Sequence, residues 1–218
     1  MKWSIGITTA PRERPCLRET QLSIEAAGFE LSRAFIFAEP GYQRYDVEAS
    51  IGVIENPRRL GAWQNFLSAL KSLAATDADC ILQCQDDIEL TRDLRPWLES
   101  QLPSLDGLLA LYCQAKNSAE KGWHKLASWH RGYGALAYVF RPELLRRFLA
   151  ETELESGAMV DLRTTRWCFD QGVPVWLHTP SLCRHTGATS SLYSGVKTIS
   201  ENRQCGQFAV SVEQFSVK

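Results

Sequence analysis

Two adjacent carboxylates, Asp86 and Asp87, follow the mostly apolar run 80–84 in the segment LQCQDDIEL. Like charges side by side at the end of a buried strand repel each other, so a positive group is expected near them. Mg²⁺ and Mn²⁺ usually bind one or two protein carboxylates together with phosphate oxygens and water. A metal held by Asp87 and a diphosphate would stabilise the charge on a departing nucleoside diphosphate. The alternative is that both aspartates are turn or helix-cap residues.

A second candidate for chemistry is His185, in the segment PSLCRHTGATSS at 180–191. It is either a hydrogen-bonded buried histidine or a group that binds the metal or the phosphates near the aspartates. A zinc site is not expected, because the spacings of the available ligands fit no zinc pattern. Those ligands are Cys168, His178, Cys183 and His185.

Strand-like and helix-like segments alternate along the chain and must position these groups. The patterns predict strands at 3–8, 33–38, 49–54, 80–84, 108–112, 135–140 and 173–178. They predict helices at 15–28, 61–76, 94–102 and 162–171, another starting at Pro142, and a long loop over 114–134. Such alternation indicates a mostly parallel sheet with helices on both faces. Ligands of these sheets bind beyond the carboxyl ends of the strands, which is where the two aspartates stand.

Composition narrows the class of protein. The 218 residues are 44% hydrophobic and 22% charged, which fits one sizeable globular domain. A net charge of -1 gives no general attraction to nucleic acid or membranes. No apolar run approaches the roughly 20 residues of a membrane span, and the start becomes charged too early for a signal peptide. Seven cysteines without a CxxC pair predict reduced thiols, no disulfides and a cytoplasmic location.

The acid pair and the histidine segment together resemble the GT-A-type, family-2-like glycosyltransferases of the nucleotide-diphospho-sugar transferase superfamily. In that superfamily a strand ends in a D-x-D-like motif, and a later segment supplies a histidine near the metal and phosphates. Three more segments are similar: ITTAPRERP, NPRRLGAWQNF and RGYGALAYVFRPELL. One departure is Gln85, which stands at the first acidic place of the motif.

The resemblance implies an α/β fold: a GT-A-type, Rossmann-like, mostly parallel central sheet with helices on both faces and a small acceptor-side subregion. It implies one catalytic domain at 1–192, with a nucleotide-binding half at 1–90 and a sugar and acceptor half at 91–192. The remaining 193–218 would be a tail that acts as a lid. The implied metal is Mn²⁺ or Mg²⁺, with Asp87 and His185 as its ligands. The implied nucleotide-sugar-binding residues are Thr8, Thr9, Ala10, Arg12, Asn56, Gly61, Asn65, Gln85 and Asp86.

An inverting transferase needs a base that takes the proton of the acceptor hydroxyl. By resemblance to inverting enzymes that base is Asp161, with Asp170 as the second choice. Alternatively Asp161 caps the helix that it precedes, and in a retaining enzyme it would be structural or sugar-binding.

The predicted loop over 114–134 is aromatic and basic, which is typical of a binding element. Its tryptophans would stack on an acceptor sugar or base, or else anchor the loop to the core. Basic side chains of the loop would meet phosphate, and those of the tail would close over the diphosphate. The residues in question are Trp123, Trp129, Lys125, Arg131, Lys197 and Arg203.

The sequence thus predicts a metal-dependent glycosyltransferase that moves a sugar from a nucleoside-diphosphate sugar, with UDP as the expected nucleotide, to an acceptor hydroxyl. The acceptor is a glycan, a lipid-linked sugar, a protein or a modified nucleic acid such as DNA with a hydroxymethylated base. A sugar-phosphate nucleotidyltransferase is the alternative enzyme, although the G-x-G-x-R of that class is missing after the first strand. A non-catalytic nucleotide-sugar-binding protein is the third possibility. Dinucleotide dehydrogenases and P-loop enzymes are excluded, because neither glycine motif occurs.

Overall fold

The computed structural model describes residues 1–44, 47–114, 117, 121–152, 159–186 and 207–215. Its helices are α1 (Leu17–Ala26), α2 (Ala62–Ala74), α3 (Leu94–Gln101), α4 (Pro142–Glu151) and α5 (Val160–Asp170). Its strands are β1 (Trp3–Thr9), β2 (Ala34–Ala38), β3 (Gly52–Glu55), β4 (Cys80–Gln85), β5 (Ile88–Leu90), β6 (Leu108–Ala110), β7 (Gly122–Lys125), β8 (Ala137–Phe140), β9 (Val175–Thr179) and β10 (Cys183–His185).

Over these residues the main sheet has eight strands in the order β3-β2-β1-β4-β8-β6-β9-β7. The strands β3, β2, β1 and β4 are parallel neighbours, and β6 and β9 form another parallel pair. Strand β8 lies antiparallel between β4 and β6, and β7 lies antiparallel to β9 at the edge. The predicted mostly parallel α/β architecture is therefore confirmed. Strands β4 and β8 pair, so one continuous sheet joins the segments before and after residue 90. The division into a nucleotide-binding half and a sugar and acceptor half stays a prediction.

Helices cover both faces of this sheet, as the alternating pattern predicts. Apolar side chains of α1 and α3 pack on one face, including Leu17, Ile24 and Leu98. Helices α2, α4 and α5 cover the other face, with Trp63 and Phe148 in its core. Burial of such side chains is the main stabilising term for the fold. It fixes the strands, and with them the loops at the carboxyl ends of the strands.

Two neighbouring strands bring the candidate residues together. Strands β1 and β4 are adjacent and parallel, with Thr8 paired to Gln85. The loop after β1 and the acid pair after β4 must therefore leave the sheet at the same edge. A separate two-stranded sheet pairs β5 with β10, and it places His185 opposite Ile88. This pairing brings the segment that contains His185 next to the acid pair.

The structure differs from the sequence-based expectation in the loop over 114–134. Four of its residues form the edge strand β7, which pairs with β9 so that Trp123 lies opposite His178. The segment Gly-Trp-His-Lys lacks the alternation of apolar and polar residues by which strands are predicted. An edge strand that is not buried on one face does not require that alternation. The three-residue strand β5 has too few residues to show a period. Both strands exist because a partner strand supplies their hydrogen bonds.

The described end of the chain, residues 207–215, lies against the domain. Phe208 bridges to Ser181 and Ser211 bridges to Arg92, while Ala209 is fully buried. The Phe215 ring lies 4.6 Å from that of Trp97. The predicted lid residues Lys197 and Arg203 fall outside the described residues, and the lid stays a prediction. None of the described helices has both the length and the apolarity needed to cross a bilayer.

Gly6 in β1 provides a test of how closely the sheet and α2 pack. A Cβ at this position would lie 2.3 Å from Gln83 Oε1 and 2.6 Å from Leu73 Cδ1. We expect Gly6→Ala to lower the free energy of unfolding by about 1–3 kcal/mol, because a close-packed interior cannot absorb the methyl group. Urea denaturation followed by circular dichroism measures this change.

The matched control is Gly52→Ala on the exposed edge strand β3. There the added Cβ would lie 3.0 and 3.3 Å from atoms of the Phe35 ring and 3.9 Å from the carbonyl oxygen of Ala34. We expect a smaller loss of stability than at Gly6. Equal losses for the two variants would contradict the packing argument.

Candidate active site

The two aspartates that follow β4 are both buried, with 2% of each residue exposed. The positive group near them is the guanidinium of Arg12, whose side chain is 11% exposed. Its Nη2 lies 2.5 Å from Asp86 Oδ1, and its Nη1 lies 2.9 Å from Asp87 Oδ2. Thr9 Oγ1 donates a further hydrogen bond of 2.5 Å to Asp86 Oδ2. Arg12 therefore compensates both carboxylates at once.

The two carboxylates differ electrostatically. Burial and the charge of Asp87 raise the pKa of Asp86, although Arg12 and Thr9 offset part of this rise. Burial also acts to raise the pKa of Asp87, but the hydrogen bond and attraction to His185, together with Arg12, outweigh it and lower that pKa. Of the two, Asp87 is therefore the carboxylate that holds its negative charge more firmly.

His185 lies directly on Asp87, with its Nε2 at 2.8 Å from Asp87 Oδ2. Pairing of β10 with β5 brings it there, and the backbone N–H of Thr186 donates to the carbonyl oxygen of Asp87 at 2.8 Å. The sequence-based interpretation that His185 stands near the acid pair agrees with this geometry.

A buried threonine of α1 fixes the turn that carries the acids. The hydroxyl of Thr20 lies 2.8 Å from the carbonyl oxygen of Asp86 and accepts the backbone N–H of Ile88 at 3.1 Å. Thr20 is fully buried, so these bonds have no competition from water. Sequence analysis did not identify it. Its only signal is a polar residue on the apolar face of an amphipathic helix.

A first cavity opens at the carboxyl ends of β1 and β4. Eight of the nine predicted nucleotide-sugar residues line it: Thr8, Thr9, Ala10, Arg12, Gly61, Asn65, Gln85 and Asp86. The ninth, Asn56, is not among the lining residues. Its amide donates to Asn65 Oδ1 at 2.9 Å, and the Asn65 amide donates to the carbonyl oxygen of Phe37 at 3.0 Å. Asn56 thus holds a residue that lines the first cavity, Asn65, and does not line the cavity itself.

The first cavity also contains an acidic residue that sequence analysis missed, Glu39, which is 3% exposed. Its carboxylate accepts the backbone N–H groups of Leu60 and Gly61 at 2.8 Å each. These bonds hold the loop that enters α2, where Gly61 has a φ of 79°. An acid directly after the apolar strand β2 is the signal that could have identified it.

A second cavity lies beside His185. It is lined by Tyr112, Gln114, Tyr133, Gly134, Leu136, Met159, Asp161 and His185. Asp161 lies in the first turn of α5, where Oδ2 accepts the N–H of Gly134 at 2.8 Å and Oδ1 accepts that of Leu162 at 2.9 Å. The alternative base, Asp170, lines neither cavity and pairs with Arg166 at 3.5 Å on the surface.

The tryptophans and basic residues of the predicted loop have partners within the protein. The ring of Trp123 stacks on Trp97 at 5.9 Å and meets His178 at 5.1 Å, as a core anchor would. Arg166 covers the Trp129 ring at 5.4 Å. Lys125 lies over Trp176 at 5.0 Å, and Arg131 is exposed. Of the two interpretations of Trp123, its contacts favour the anchor.

Asp87 and His185 are the residues that could hold a divalent metal. Asp87 Oδ1 is buried and has no hydrogen-bond partner among the described residues, so it is an acceptor that a cation would satisfy. No cluster of three or more His, Cys, Asp or Glu suited to a metal occurs in the described part of the chain. Two protein ligands completed by diphosphate and water fit Mn²⁺ or Mg²⁺, which commonly bind in this way. They do not fit a structural zinc site, which needs four protein ligands.

Comparisons with known proteins identify the fold. No protein-family model matches the chain, and no curated protein matches it in sequence. A crystal structure of GalNAc-T7 with UDP, GalNAc and Mn²⁺ is similar over 90% of this chain, with a TM-score of 0.64 and 10% identity. Residues 1–349 of S. aureus TarS in complex with UDP-GlcNAc are similar over 91%, with a TM-score of 0.64 and 12% identity. A CMP-2-keto-3-deoxy-manno-octonic acid synthetase with CTP is similar over 81%, with a TM-score of 0.50 and 13% identity.

These similarities show that the chain has a GT-A-like fold, as the sequence motifs predict. The chain spans 46% of the GalNAc-T7 chain and 62% of the TarS chain. At 10–13% identity the comparisons show the fold alone.

The role of Thr20 can be tested with Thr20→Val, which keeps the shape of the side chain. We expect a loss of about 1–3 kcal/mol in the free energy of unfolding, because the buried N–H of Ile88 loses its partner. Chemical denaturation measures this loss. Thr20→Ser keeps the hydroxyl and should retain more of the stability than Thr20→Val. If the valine variant is the more stable of the two, the hydroxyl does not hold the turn.

Proposed function

We propose that the chain is a metal-dependent glycosyltransferase that transfers a sugar from UDP-sugar to an acceptor hydroxyl. The observation that carries the proposal is the position of the acid–histidine group between two cavities. Asp86 lines the first cavity and His185 lines the second, while Asp87 contacts His185. A nucleotide in the first cavity and a sugar in the second would place the diphosphate beside Asp87. The presence of UDP in one similar structure and of UDP-GlcNAc in another supports the choice of donor.

Each part of the site has a role in the proposed reaction. Asp87 and His185 would hold the divalent metal, which neutralises negative charge on the diphosphate when bound. Thr8, Thr9, Ala10 and the loop before α2 would bind the nucleoside. Arg12 would supply a second positive charge beside the leaving group. One guanidinium contacts both acids and offsets only part of their negative charge. The divalent metal would offset the rest, together with that of the diphosphate.

Asp161 is the proposed base. Its oxygens accept the backbone N–H groups of Gly134 and Leu162, which hold the carboxylate in the wall of the second cavity. In the proposed step the acceptor oxygen attacks the anomeric carbon, and its proton passes to Asp161. The bond between the anomeric carbon and the diphosphate oxygen breaks, and UDP departs with that electron pair. Attack from the side opposite the leaving group inverts the anomeric centre.

Donor binding can be measured by thermal shift with UDP and UDP-sugars, with and without Mn²⁺. We expect the largest stabilisation with UDP-sugar and Mn²⁺ together, of about 2.7 kcal/mol at a ligand concentration of 100 Kd. The variant Asp87→Asn should lose the part of the shift that depends on Mn²⁺, because it removes a charged ligand.

The matched control for this variant is Asp106→Asn, an exposed aspartate that lines neither cavity. It should keep the full shift. Absence of any shift for the native protein with UDP-sugars and Mn²⁺ would overturn the proposed function. An unchanged Mn²⁺ response in Asp87→Asn would remove this residue from the metal site.

The role of the base can be tested without knowing the acceptor, because water can replace it. We expect Asp161→Asn to slow release of UDP from UDP-sugar by about 10²- to 10⁴-fold, the usual contribution of a positioned base. The Kd of UDP-sugar should change little. Asp170→Asn, on the same helix but outside both cavities, is the control and should keep the native rate. If Asp161→Asn keeps native turnover, this residue is not the base.

Similarity to the CTP-bound synthetase favours one second candidate, a sugar-phosphate nucleotidyltransferase. That reaction would release pyrophosphate from a nucleoside triphosphate in the presence of a sugar phosphate. A pyrophosphate assay with CTP and UTP distinguishes the two enzymes, because a glycosyltransferase releases only nucleoside diphosphate. Nucleotide-sugar binding without either product would identify a non-catalytic binding protein.

A further inference from the structure

One side chain of the second cavity has no role in the proposed reaction so far. Gln114 is 4% exposed, and its Oε1 is buried without a hydrogen-bond partner among the residues that the structure describes. The same residue lines the cavity that contains Asp161 and His185. An unpaired buried acceptor destabilises a fold, so a ligand that donates a hydrogen bond there would be favoured.

The backbone that leads to Gln114 is fixed on both sides. The N–H of Leu111 donates to the carbonyl oxygen of Ala137 at 3.0 Å, and that of Leu182 donates to Leu111 at 2.9 Å. The N–H of Cys113 donates to Ser181 Oγ at 2.9 Å. The side chain of Gln114 therefore starts from a rigid position in the segment that follows β6, as a group that selects a ligand requires.

A further part of the cavity wall, at Gly134 and Tyr112, is close-packed too. Gly134 has a φ of 99°, and a Cβ there would lie 2.4 Å from Tyr112 Cδ1. The same glycine donates its N–H to Asp161 at 2.8 Å. Tyr112 and Asp161 therefore share one rigid wall. Rings, a few apolar side chains and few polar atoms are typical of a small-molecule site.

We propose that Gln114 determines which sugar the protein binds, by accepting a hydrogen bond from a donor on the transferred sugar. That donor is a ring hydroxyl or the N–H of an acetamido substituent. The inference rests on the proposed function, in which the first cavity holds the nucleotide and the second holds the sugar. A sugar that lacks the donor at the matching position would leave Gln114 unpaired and would bind more weakly.

The test measures the Kd of UDP, UDP-glucose, UDP-galactose, UDP-GlcNAc and UDP-GalNAc by isothermal titration calorimetry with Mn²⁺. We expect the native protein to bind one sugar nucleotide more tightly than UDP. In Gln114→Met, an apolar residue of similar size, this preference should fall by roughly 10- to 100-fold. The Kd of UDP itself should stay the same, because UDP does not reach the second cavity.

Two further variants make the result decisive. Gln101→Met changes a glutamine of α3 outside both cavities and should keep every Kd. Gln114→Asn keeps an amide but withdraws it by one methylene, and it replaces the methionine variant if that one fails to fold. Loss of preference only for the acetamido sugars identifies the N–H as the donor, and an equal loss for glucose or galactose identifies a hydroxyl.

The outcomes separate the two proposals. If the native protein prefers a UDP-sugar over UDP and Gln114→Met keeps that preference, the inference about Gln114 is overturned while the proposed function stands. If UDP binds but no UDP-sugar binds more tightly, Gln114 does not accept a hydrogen bond from the sugar, and the inference is overturned. If neither UDP nor any UDP-sugar binds the native protein, both proposals are overturned.

Discussion

The ion pairs between Arg12 and the two aspartates after β4 are the constraint on which the site depends. Two carboxylates that are each 2% exposed would repel each other strongly in a medium of low dielectric constant. One guanidinium that contacts both makes their burial tolerable, and its planar fork suits two acceptors at once. Gln43 in turn donates to the carbonyl oxygen of Arg12 at 2.8 Å. The loop after β1 and the turn after β4 therefore fix each other.

The topology of the sheet explains why this group lies between two cavities. Strands β1 and β4 are parallel neighbours, so their loops emerge together and form the first cavity with the loop that enters α2. Strand β8 is the antiparallel neighbour of β4 in the sheet. The segment that precedes β8 lines the second cavity together with the start of α5. The pair β5–β10 adds the histidine from a distant part of the chain. The proposed sugar transfer needs one cavity for the nucleotide and a second one for the sugar.

Much of this arrangement could be predicted from the sequence, because long periodic segments and helix-end residues are strong signals. The helix α2, the stop at Gly28 and the start at Pro142 agree with their patterns. The acid pair was identifiable because charge at the end of an apolar strand requires a partner. Short strands such as β5 and β7 were not predictable, since three or four residues show no period and tertiary pairing decides their state.

The same limit applies to the supporting residues of the site. Thr20 and Glu39 act through contacts with segments far along the chain, and no local pattern identifies such partners. Gln114 is identified only by its place in the wall of the second cavity. Thr20 meets a turn 66 residues away. Asn65 lines the first cavity, and the partners of its side-chain amide, Phe37 and Asn56, are known only from the structure. The sequence can therefore predict that a polar residue lies near the site, but only the fold determines which group it bonds to.

Beyond the ion pairs with Arg12, the turn that carries the acid pair is held at its own backbone atoms, which has a consequence for divergence. The carbonyl oxygen of Asp87 accepts the N–H of Thr186, and Thr20 contacts only backbone atoms of Asp86 and Ile88. Bonds to backbone atoms do not depend on the type of the side chain at that position. Residues around the turn can therefore change while the path of the chain is kept, which is compatible with a shared fold at 10–13% identity. Proteins with such a turn can be recognised by structural similarity after their sequence similarity is no longer detectable.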